Sequence, residues 1–295
     1  MLLFMTRSLA ASMVFLATTL ANPLLYADGT TTASADDEVN PHPLASTIRF
    51  GTSHSDFIRK QVRDYSCRLI KRERINGKLQ EPQFANLRVR CEHRAEDGTV
   101  LPLAVYMDFL APRSILDRRV LYVADKHDGK VLVRKGGNLM KDLKLKVDPF
   151  SERARSESKH TITEIGLDKL LDRWVQQLKV DIQSDPEATN TRVSHFRNAL
   201  VNKQKCTHIQ IVHPKQTDAF QFHKISLFVD DKLHVPVRLI VYGWPEQPGG
   251  DPPIDEEYNY VGLKLNQGLS DKDFREALLD QTSNSQTTVS TRPKR

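Results

Sequence analysis

Asp64 to Lys78 reads DYSCRLIKRERINGK, and the predicted sheet grows from this segment. Successive side chains of a strand point to opposite faces. One face therefore carries Tyr65, Cys67, Leu69, Lys71, Glu73 and Ile75. The other face carries Ser66, Arg68, Ile70, Arg72 and Arg74. Asn76-Gly77 then supplies residues that accept the positive φ of a tight turn. The stretch predicts a strand that leads into a hairpin.

Later stretches alternate in the same way and are separated by short turn signals such as Asp97-Gly98. Residues 101–109 alternate most regularly and are apolar on both faces, which indicates a strand covered on both sides. The other predicted strands are residues 84–92, 120–123, 131–133, 139–147, 206–213, 220–230, 235–242 and 256–265. Hairpins in series predict an α+β, β-dominated fold, namely a curved antiparallel sheet or half-open barrel of about ten strands with helices packed against it.

Two helices are predicted. Residues 45–63 have partly helical apolar spacing, interrupted by Gly51, and Ser53 or Ser55 could cap a helix there. Residues 167–179 place apolar side chains at i, i+3, i+4, i+7, i+8 and i+11, which predicts an amphipathic helix between two groups of strands.

The N-terminus indicates export. Arg7 precedes an apolar run from Leu9 to Leu20, and small residues follow it, as in a secretory signal peptide cleaved near Ala21 or Ala27. The run is short for a membrane span, although a retained signal anchor is the alternative. We expect a signal peptide over 1–21, a flexible linker over 22–44, one β-rich domain over 45–276 and a disordered tail over 277–295. No later segment is apolar enough to cross a bilayer, so the expected location is periplasmic or secreted.

The 295 residues carry a formal charge of +6 with a pI of about 9.1. A basic balance is compatible with nucleic acid or with an anionic surface or ligand. The lysines and arginines are spread along the chain, so we expect no nucleic-acid partner.

Cys67, Cys91 and Cys206 are the three cysteines. A hairpin centred near Leu79 would place Cys67 opposite Cys91, so either a disulfide between them or free buried thiols is expected. No cysteine or histidine spacing suggests a metal, and no glycine-rich phosphate loop or nucleophile elbow is present. We therefore predict no cofactor and no enzymatic activity.

Several segments resemble the DUF1571 family, a group without an assigned activity. The opening motif is Asp64-Tyr65-Ser66-Cys67 with Lys71 to Leu79, and the resemblance extends over about 41–274. Other matching segments are Val105-Tyr106, Phe109-Leu110, Ile162 to Gly166, Phe222 to Lys224, Trp244-Pro245, Glu256 to Tyr260 and Leu263 to Asn266. Members usually carry Gly-Arg-Glu-Val where this chain has Asp117 to Val120, so a role for that glycine or glutamate is not carried over. The family is similar to the periplasmic lipoprotein-carrier fold, which implies a half-open barrel with an apolar cavity for acyl chains.

The predicted cavity residues are Tyr65, Leu69, Tyr106, Phe109, Tyr122 and Trp174, with ordinary core as the alternative. The predicted head-group residues are Arg68, Arg72, Arg88 and Arg90, with a solvated outer face as the alternative. Our first hypothesis is an exported soluble protein that binds a lipid or an acylated protein. The second is an interaction or sensor domain of the cell envelope with a protein partner, and the third is an enzyme of unknown reaction.

Overall fold

The computed structural model describes residues 42–247 and 249–281. The predicted signal peptide and most of the predicted linker lie outside these residues. The helices are α1 (Pro43–Gln61), α2 (Glu152–Arg155) and α3 (Leu167–Ser184). The strands of the first half are β1 (Asp64–Ile75), β2 (Lys78–Leu79), β3 (Gln83–Arg90), β4 (His93–Arg94), β5 (Val100–Leu101), β6 (Ala104–Ala111), β7 (Arg119–Val123), β8 (Val131–Arg134) and β9 (Lys144–Val147). The second half supplies β10 (Arg192–Val201), β11 (Gln204–Val212), β12 (Lys224–Asp230), β13 (Pro236–Tyr242) and β14 (Ile254–Leu265).

Twelve strands form one antiparallel sheet in the order β10-β11-β12-β13-β14-β1-β3-β6-β7-β8-β9, with β2 paired to β1. The sheet is curved and open, with β10 and β9 as its edges. The fold class is the predicted one. The first strand, β1, lies in the middle of the sheet, and the following strands run outward to β9. The chain then crosses through α3 to the opposite edge at β10. It returns strand by strand until β14 pairs with β1.

The main core lies between one face of the sheet and helices α1 and α3. Gly51 allows these helices to approach closely, because a Cβ on Gly51 would lie 2.6 Å from Cγ2 of Val175 and 3.4 Å from the Trp174 ring. The glycine that interrupts the sequence pattern is therefore the contact point of two helices, and α1 continues through it. No helix in the described ranges has both the length and the apolar composition that a bilayer crossing requires.

A smaller core lies on the opposite face of the sheet, where residues 269–280 cover β6, β7 and β8. Phe274, Leu278 and Leu279 are buried there, so the predicted start of a disordered tail at 277 is wrong for the first residues of that range. Two short 3-10 turns, Asp271–Phe274 and Glu276–Asp280, pack these apolar side chains against the sheet. Residues 282–295 lie outside the described part of the chain.

Candidate ligand-binding cavity

A cavity of about 200 Å³ lies between one end of the sheet and a segment that connects β9 to α3. We call residues 148–166 the strap. The sheet contributes mainly apolar side chains to the wall: Met107, Phe109, Val120, Val131, Val133, Leu145, Val147 and Tyr260. The strap and α3 add Pro149, Ala154, Ile162, Ile165 and Leu170. The cavity is therefore apolar over most of its depth.

The strap has its own local structure. Ser151 caps α2, because its side-chain oxygen accepts a hydrogen bond from the backbone N–H of Ala154. Thr161 and Glu164 form a capping box around a 3-10 turn at Ile162–Glu164. These caps satisfy backbone groups that the short helices leave unpaired, so the strap keeps a defined path across the cavity.

A polar cluster joins the strap to the sheet at one side of the cavity. We define it as Lys71, Glu73, Ser158, His160, Glu256 and Tyr258. The register of β1 with β14 pairs Lys71 with Tyr258 and Glu73 with Glu256, which brings two carboxylates onto one face. The Tyr258 hydroxyl lies 2.5 Å from Oε1 of Glu73 and 3.1 Å from Oε2 of Glu256.

The strap side of the cluster completes this network. The Ser158 hydroxyl donates to Glu73 at 3.1 Å and accepts from the Lys71 ammonium at 2.9 Å. Nε2 of His160 lies 2.7 Å from Oε2 of Glu256. Lys159 adds an ion pair with Asp255 beside the cluster. Each carboxylate therefore has partners on the sheet and on the strap.

The protonation states follow from this arrangement. Burial alone would raise the pKa of Glu73, but the Lys71 ammonium and the Tyr258 hydroxyl outweigh it and hold that pKa below its usual value. Burial would likewise raise the pKa of Glu256, but the hydrogen bond and the charge of His160 outweigh it and lower that pKa. Burial and the two carboxylates raise the pKa of Tyr258 well above its ordinary value. The carboxylates are therefore ionised at neutral pH, and Tyr258 is a hydrogen-bond donor.

Basic side chains surround the rest of the cavity, namely Arg118, Lys135, Arg153, Arg155 and Arg173. Arg118 forms an ion pair with Glu157 of the strap at 2.5 Å. Arg173 donates to the backbone carbonyl of Glu164 at 3.1 Å. Positive charge therefore exceeds negative charge on this side of the cavity.

Of the six side chains predicted for the cavity, Phe109 lines it. Tyr65, Leu69, Tyr122 and Trp174 lie in the main core, which was the alternative stated for them. Tyr106 points to the opposite face of the sheet, where its hydroxyl donates to the Leu278 carbonyl at 3.2 Å. The alternation of β6 places even-numbered and odd-numbered side chains on different faces, and only the odd face meets the cavity.

The four arginines predicted to hold a head group lie outside the cavity lining. Arg88 and Arg90 face the C-terminal segment, where Arg90 pairs with Asp271 at 2.7 Å and Arg88 approaches Asp273 at 3.8 Å. Arg68 donates to Asn86 across the strands, and Arg72 donates to the Gln80 carbonyl. The alternative of a solvated outer face fits the exposed Arg68, whereas Arg90 is buried at 2% exposure beneath the C-terminal segment.

The cysteines are free thiols, with Cys67 buried and Cys91 partly buried. The hairpin is centred on Gly77, so Cys67 lies opposite Leu87. Cys91 donates its backbone N–H to Arg63, four residues from Cys67 along the chain. At about 3.4 Å per residue, this separation is about 14 Å along the strand. The disulfide alternative is therefore wrong, because the turn lies two residues earlier than the sequence suggested.

The polar cluster was not predicted, although the sequence contains a signal for it. The apolar face of β1 runs Tyr65, Cys67 and Leu69 and then becomes charged at Lys71 and Glu73. The paired end of β14 likewise carries Glu256 on the face that continues with Tyr258 and Tyr260. Two strands whose buried faces turn polar at one end indicate a polar site there. Glu257, the next residue of β14, pairs instead with Arg238.

A second buried network lies away from the cavity. Nε2 of His213 is 3.3 Å from Oδ2 of Asp181, and both side chains are fully buried. Nδ1 of His213 lies 3.1 Å from the Asn190 carbonyl, and Phe220 stacks on the imidazole ring. This arrangement connects α3 to the residue that follows β11. No group of three potential metal ligands converges in residues 42–247 or 249–281.

The architecture is therefore an open antiparallel sheet with helices packed on one face and a cavity under the strap. The chain belongs to DUF1571, a family of proteins of unknown function, whose signature matches residues 62–282. The curated proteins compared with the chain give no match.

Solved structures from several bacteria have a similar chain path. A putative outer membrane lipoprotein-sorting protein domain from Vibrio parahaemolyticus is 10% identical, with a TM-score of 0.36, and the match covers 79% of this chain and 100% of that chain. The Mycobacterium tuberculosis lipoprotein LppX is also 10% identical, with a TM-score of 0.38 and coverage of 77% and 98%. The Pseudomonas aeruginosa MucA/MucB complex is 11% identical, with a TM-score of 0.41 and coverage of 80% and 62%. These similarities concern the chain path alone.

Proposed function

We propose that this protein is an exported, non-catalytic binding protein that holds an acyl chain or another apolar group between the sheet and the strap. The observation that carries the proposal is the cavity itself, which is mainly apolar, polar at one side and partly covered by the strap. Burial of apolar surface would provide the binding free energy, at about 25 cal/mol per Å². Export rests on the sequence of the N-terminus, from Arg7 to Leu20.

The size of the cavity limits what it holds when the strap is in place. Its volume is about 200 Å³. An engineered apolar cavity of about 150 Å³ binds benzene, and pockets for larger organic ligands occupy about 300–1,000 Å³. A compact apolar group therefore fits the closed form, whereas a full acyl chain requires the strap to move outward. Strap movement is accordingly a step of binding in this proposal.

The polar groups have two roles in this proposal. Lys135, Arg153 and Arg155 would contact an anionic head group at the rim, since they have no carboxylate partner among the described residues. The polar cluster would hold the strap closed rather than catalyse a reaction, because its carboxylates are already engaged by Lys71, Ser158, His160 and Tyr258.

The test is native mass spectrometry of the protein purified from its own compartment, followed by organic extraction. Wild type is expected to carry a lipid-like adduct or to take up added fatty acid or lipopeptide. Val120→Trp would fill the cavity and abolish the adduct, because Val120 lines it from β7. Val100→Trp is the matched control, because Val100 is exposed on β5 and does not line the cavity. A bare wild-type mass together with failure to take up any added lipid would refute the proposal.

A second candidate function is an envelope interaction domain that binds a protein partner through a sheet edge. β10 is a ten-residue edge strand on which Phe196 and Leu200 are exposed. An exposed edge offers backbone groups to which a partner strand can add. Photo-crosslinking from position 196 in living cells would capture such a partner, and crosslinks confined to lipid or solvent products would exclude this edge.

A further inference from the structure

The loop between β8 and β9 exposes apolar side chains at its tip. We call residues 135–143 the tip loop. Leu139 is 71% exposed and Met140 is 64% exposed, and Leu143 and the neighbouring Leu116 are each 41% exposed. Exposed apolar residues are ordinary when scattered, but three of these four belong to one loop, and the fourth, Leu116, accepts a backbone hydrogen bond from Gly137 of that loop.

The base of the tip loop is firmly held. Gly136 and Gly137 have φ values of +66° and +71°, which favour glycine. A Cβ on Gly136 would lie 2.2 Å from the backbone nitrogen of Arg118, and a Cβ on Gly137 would lie 2.3 Å from the Ser114 carbonyl oxygen. The Gly137 N–H also donates to the Leu116 carbonyl at 2.7 Å. The loop therefore projects Leu139 and Met140 from a fixed base.

Basic residues surround this apolar tip. Residues 134–146 contain five lysines and arginines and one acidic residue, Asp142. Asp142 is paired with Arg134, and Lys144 is paired with Asp280. Lys135, Lys141 and Lys146 have no ion-pair partner in the part of the chain that the structure describes. The surface that carries the apolar tip is thus positively charged.

We propose that the tip loop docks this protein on an anionic lipid bilayer, with Leu139 and Met140 entering the acyl boundary and the lysines contacting lipid phosphates. Apolar side chains flanked by lysines are the composition of membrane-surface segments. Protein–protein interfaces are instead depleted in lysine and enriched in aromatic residues, Met and Arg. The tip loop contains no aromatic residue, which favours the bilayer over a protein partner.

The tip loop is next to the cavity described above. Lys135 of the loop and Leu145 of β9 both line the cavity described above. A docked protein would therefore place one wall of the cavity near the bilayer surface. The docking itself does not depend on the cavity being occupied, so it can be tested independently of the proposed function.

The test is co-sedimentation of the protein with lipid vesicles. The sample is the protein as exported, and mass spectrometry identifies its first residue beforehand. Vesicles with roughly one third phosphatidylglycerol in phosphatidylcholine are compared with pure phosphatidylcholine. Wild type is expected to bind the anionic vesicles and to be released at about 0.5 M salt, where charges are screened within a few Å. Leu139→Ser/Met140→Ser is expected to weaken binding at least about tenfold, because burying such side chains contributes strongly to partitioning.

Matched variants separate the apolar contribution to vesicle binding from the electrostatic one. Lys141→Gln/Lys146→Gln is expected to weaken binding about fivefold for each lysine removed. Leu200→Ser is the apolar control, because Leu200 is 70% exposed on the opposite edge of the sheet. Lys60→Gln/Lys179→Gln is the charge control on the helices. Absence of binding to anionic vesicles, or equal loss with the control and tip-loop variants, would overturn the proposal. Loss of binding in the tip-loop variants while the cavity still takes up fatty acid would support it.

Discussion

Tyr258→Phe is the substitution that most directly tests the hold of the strap on the sheet. It deletes one buried oxygen and leaves the ring in place between β1 and the strap. The lost contact is the 2.5 Å hydrogen bond to Glu73, a side chain that is 4% exposed. This distance is typical of a charge-assisted O–H···O⁻ bond.

The expected loss of stability follows from the number of protons that the Tyr258 hydroxyl can donate. A tyrosine hydroxyl has one proton, so it serves one carboxylate at a time, and only one charged hydrogen bond is lost although Glu256 is also within 3.1 Å. Such a bond contributes about 1.5–3 kcal/mol. For a domain of this size, a loss of about 2 kcal/mol corresponds to a melting temperature about 4–8 °C lower.

The assay is urea and thermal unfolding of Tyr258→Phe beside Tyr122→Phe. Tyr122 is equally buried, but its hydroxyl bonds to no carboxylate within the described ranges, so its loss should change stability by less than about 0.5 kcal/mol. Hydrogen exchange would follow the backbone of residues 157–161, which is expected to exchange faster in Tyr258→Phe alone. Equal stability of the two variants would refute the idea that the cluster fastens the strap.

Three further predictions concern the same architecture. Both cluster carboxylates have pKa values below the value of about 4.3 for a glutamate in the unfolded chain, so the stability they contribute is full above that pH and is lost as the pH falls through the folded pKa values. Hydrogen exchange should therefore show that acid loosens the strap before the sheet. Glu256→Gln should weaken this dependence of strap exchange on pH. Gly51→Leu should destabilise the fold by about 1–3 kcal/mol through its clash with Val175, and unchanged urea unfolding would contradict this helix contact. Burial raises the pKa values of the Cys67 and Cys91 thiols to about 12, so a thiol reagent should modify them only after unfolding, and a mass two protons lower than the reduced chain would contradict the free thiols.

The parts of the fold that sequence patterns predicted are those with strong local periodicity. The alternation in β1, β3 and β6 and the helical spacing of α3 depend on which face is buried, and that preference is visible in the residues themselves. β10 was missed because its side chains are mostly exposed on both faces and a register shift between Phe196 and Ala199 interrupts its pairing. An edge strand with little burial leaves little hydrophobic pattern.

The site was harder to predict because it depends on register between distant strands. Glu73 and Glu256 are directly paired across β1 and β14, and nothing local in either strand indicates which residue will face it. The joint assignment of Tyr106 and Phe109 to the cavity was a different error, because a spacing of three residues within one strand already places their side chains on opposite faces. Likewise, the charged strap residues 151–160 gave no sign that they would cover an apolar wall.

The pairing of the first strand with the last also governs the order in which the molecule can be assembled. Leu69 meets Tyr260 across this seam, so the centre of the sheet has a neighbour on only one side until nearly the whole chain has been synthesised. Contacts between residues so far apart in sequence form slowly, because the intervening chain must be closed into a loop first. A chain truncated before Ile254 would lack both Glu256 and Tyr258, and it would expose the long edge of β1 to other chains. The binding site is thus incomplete in a nascent chain until β14 has been synthesised and has paired with β1.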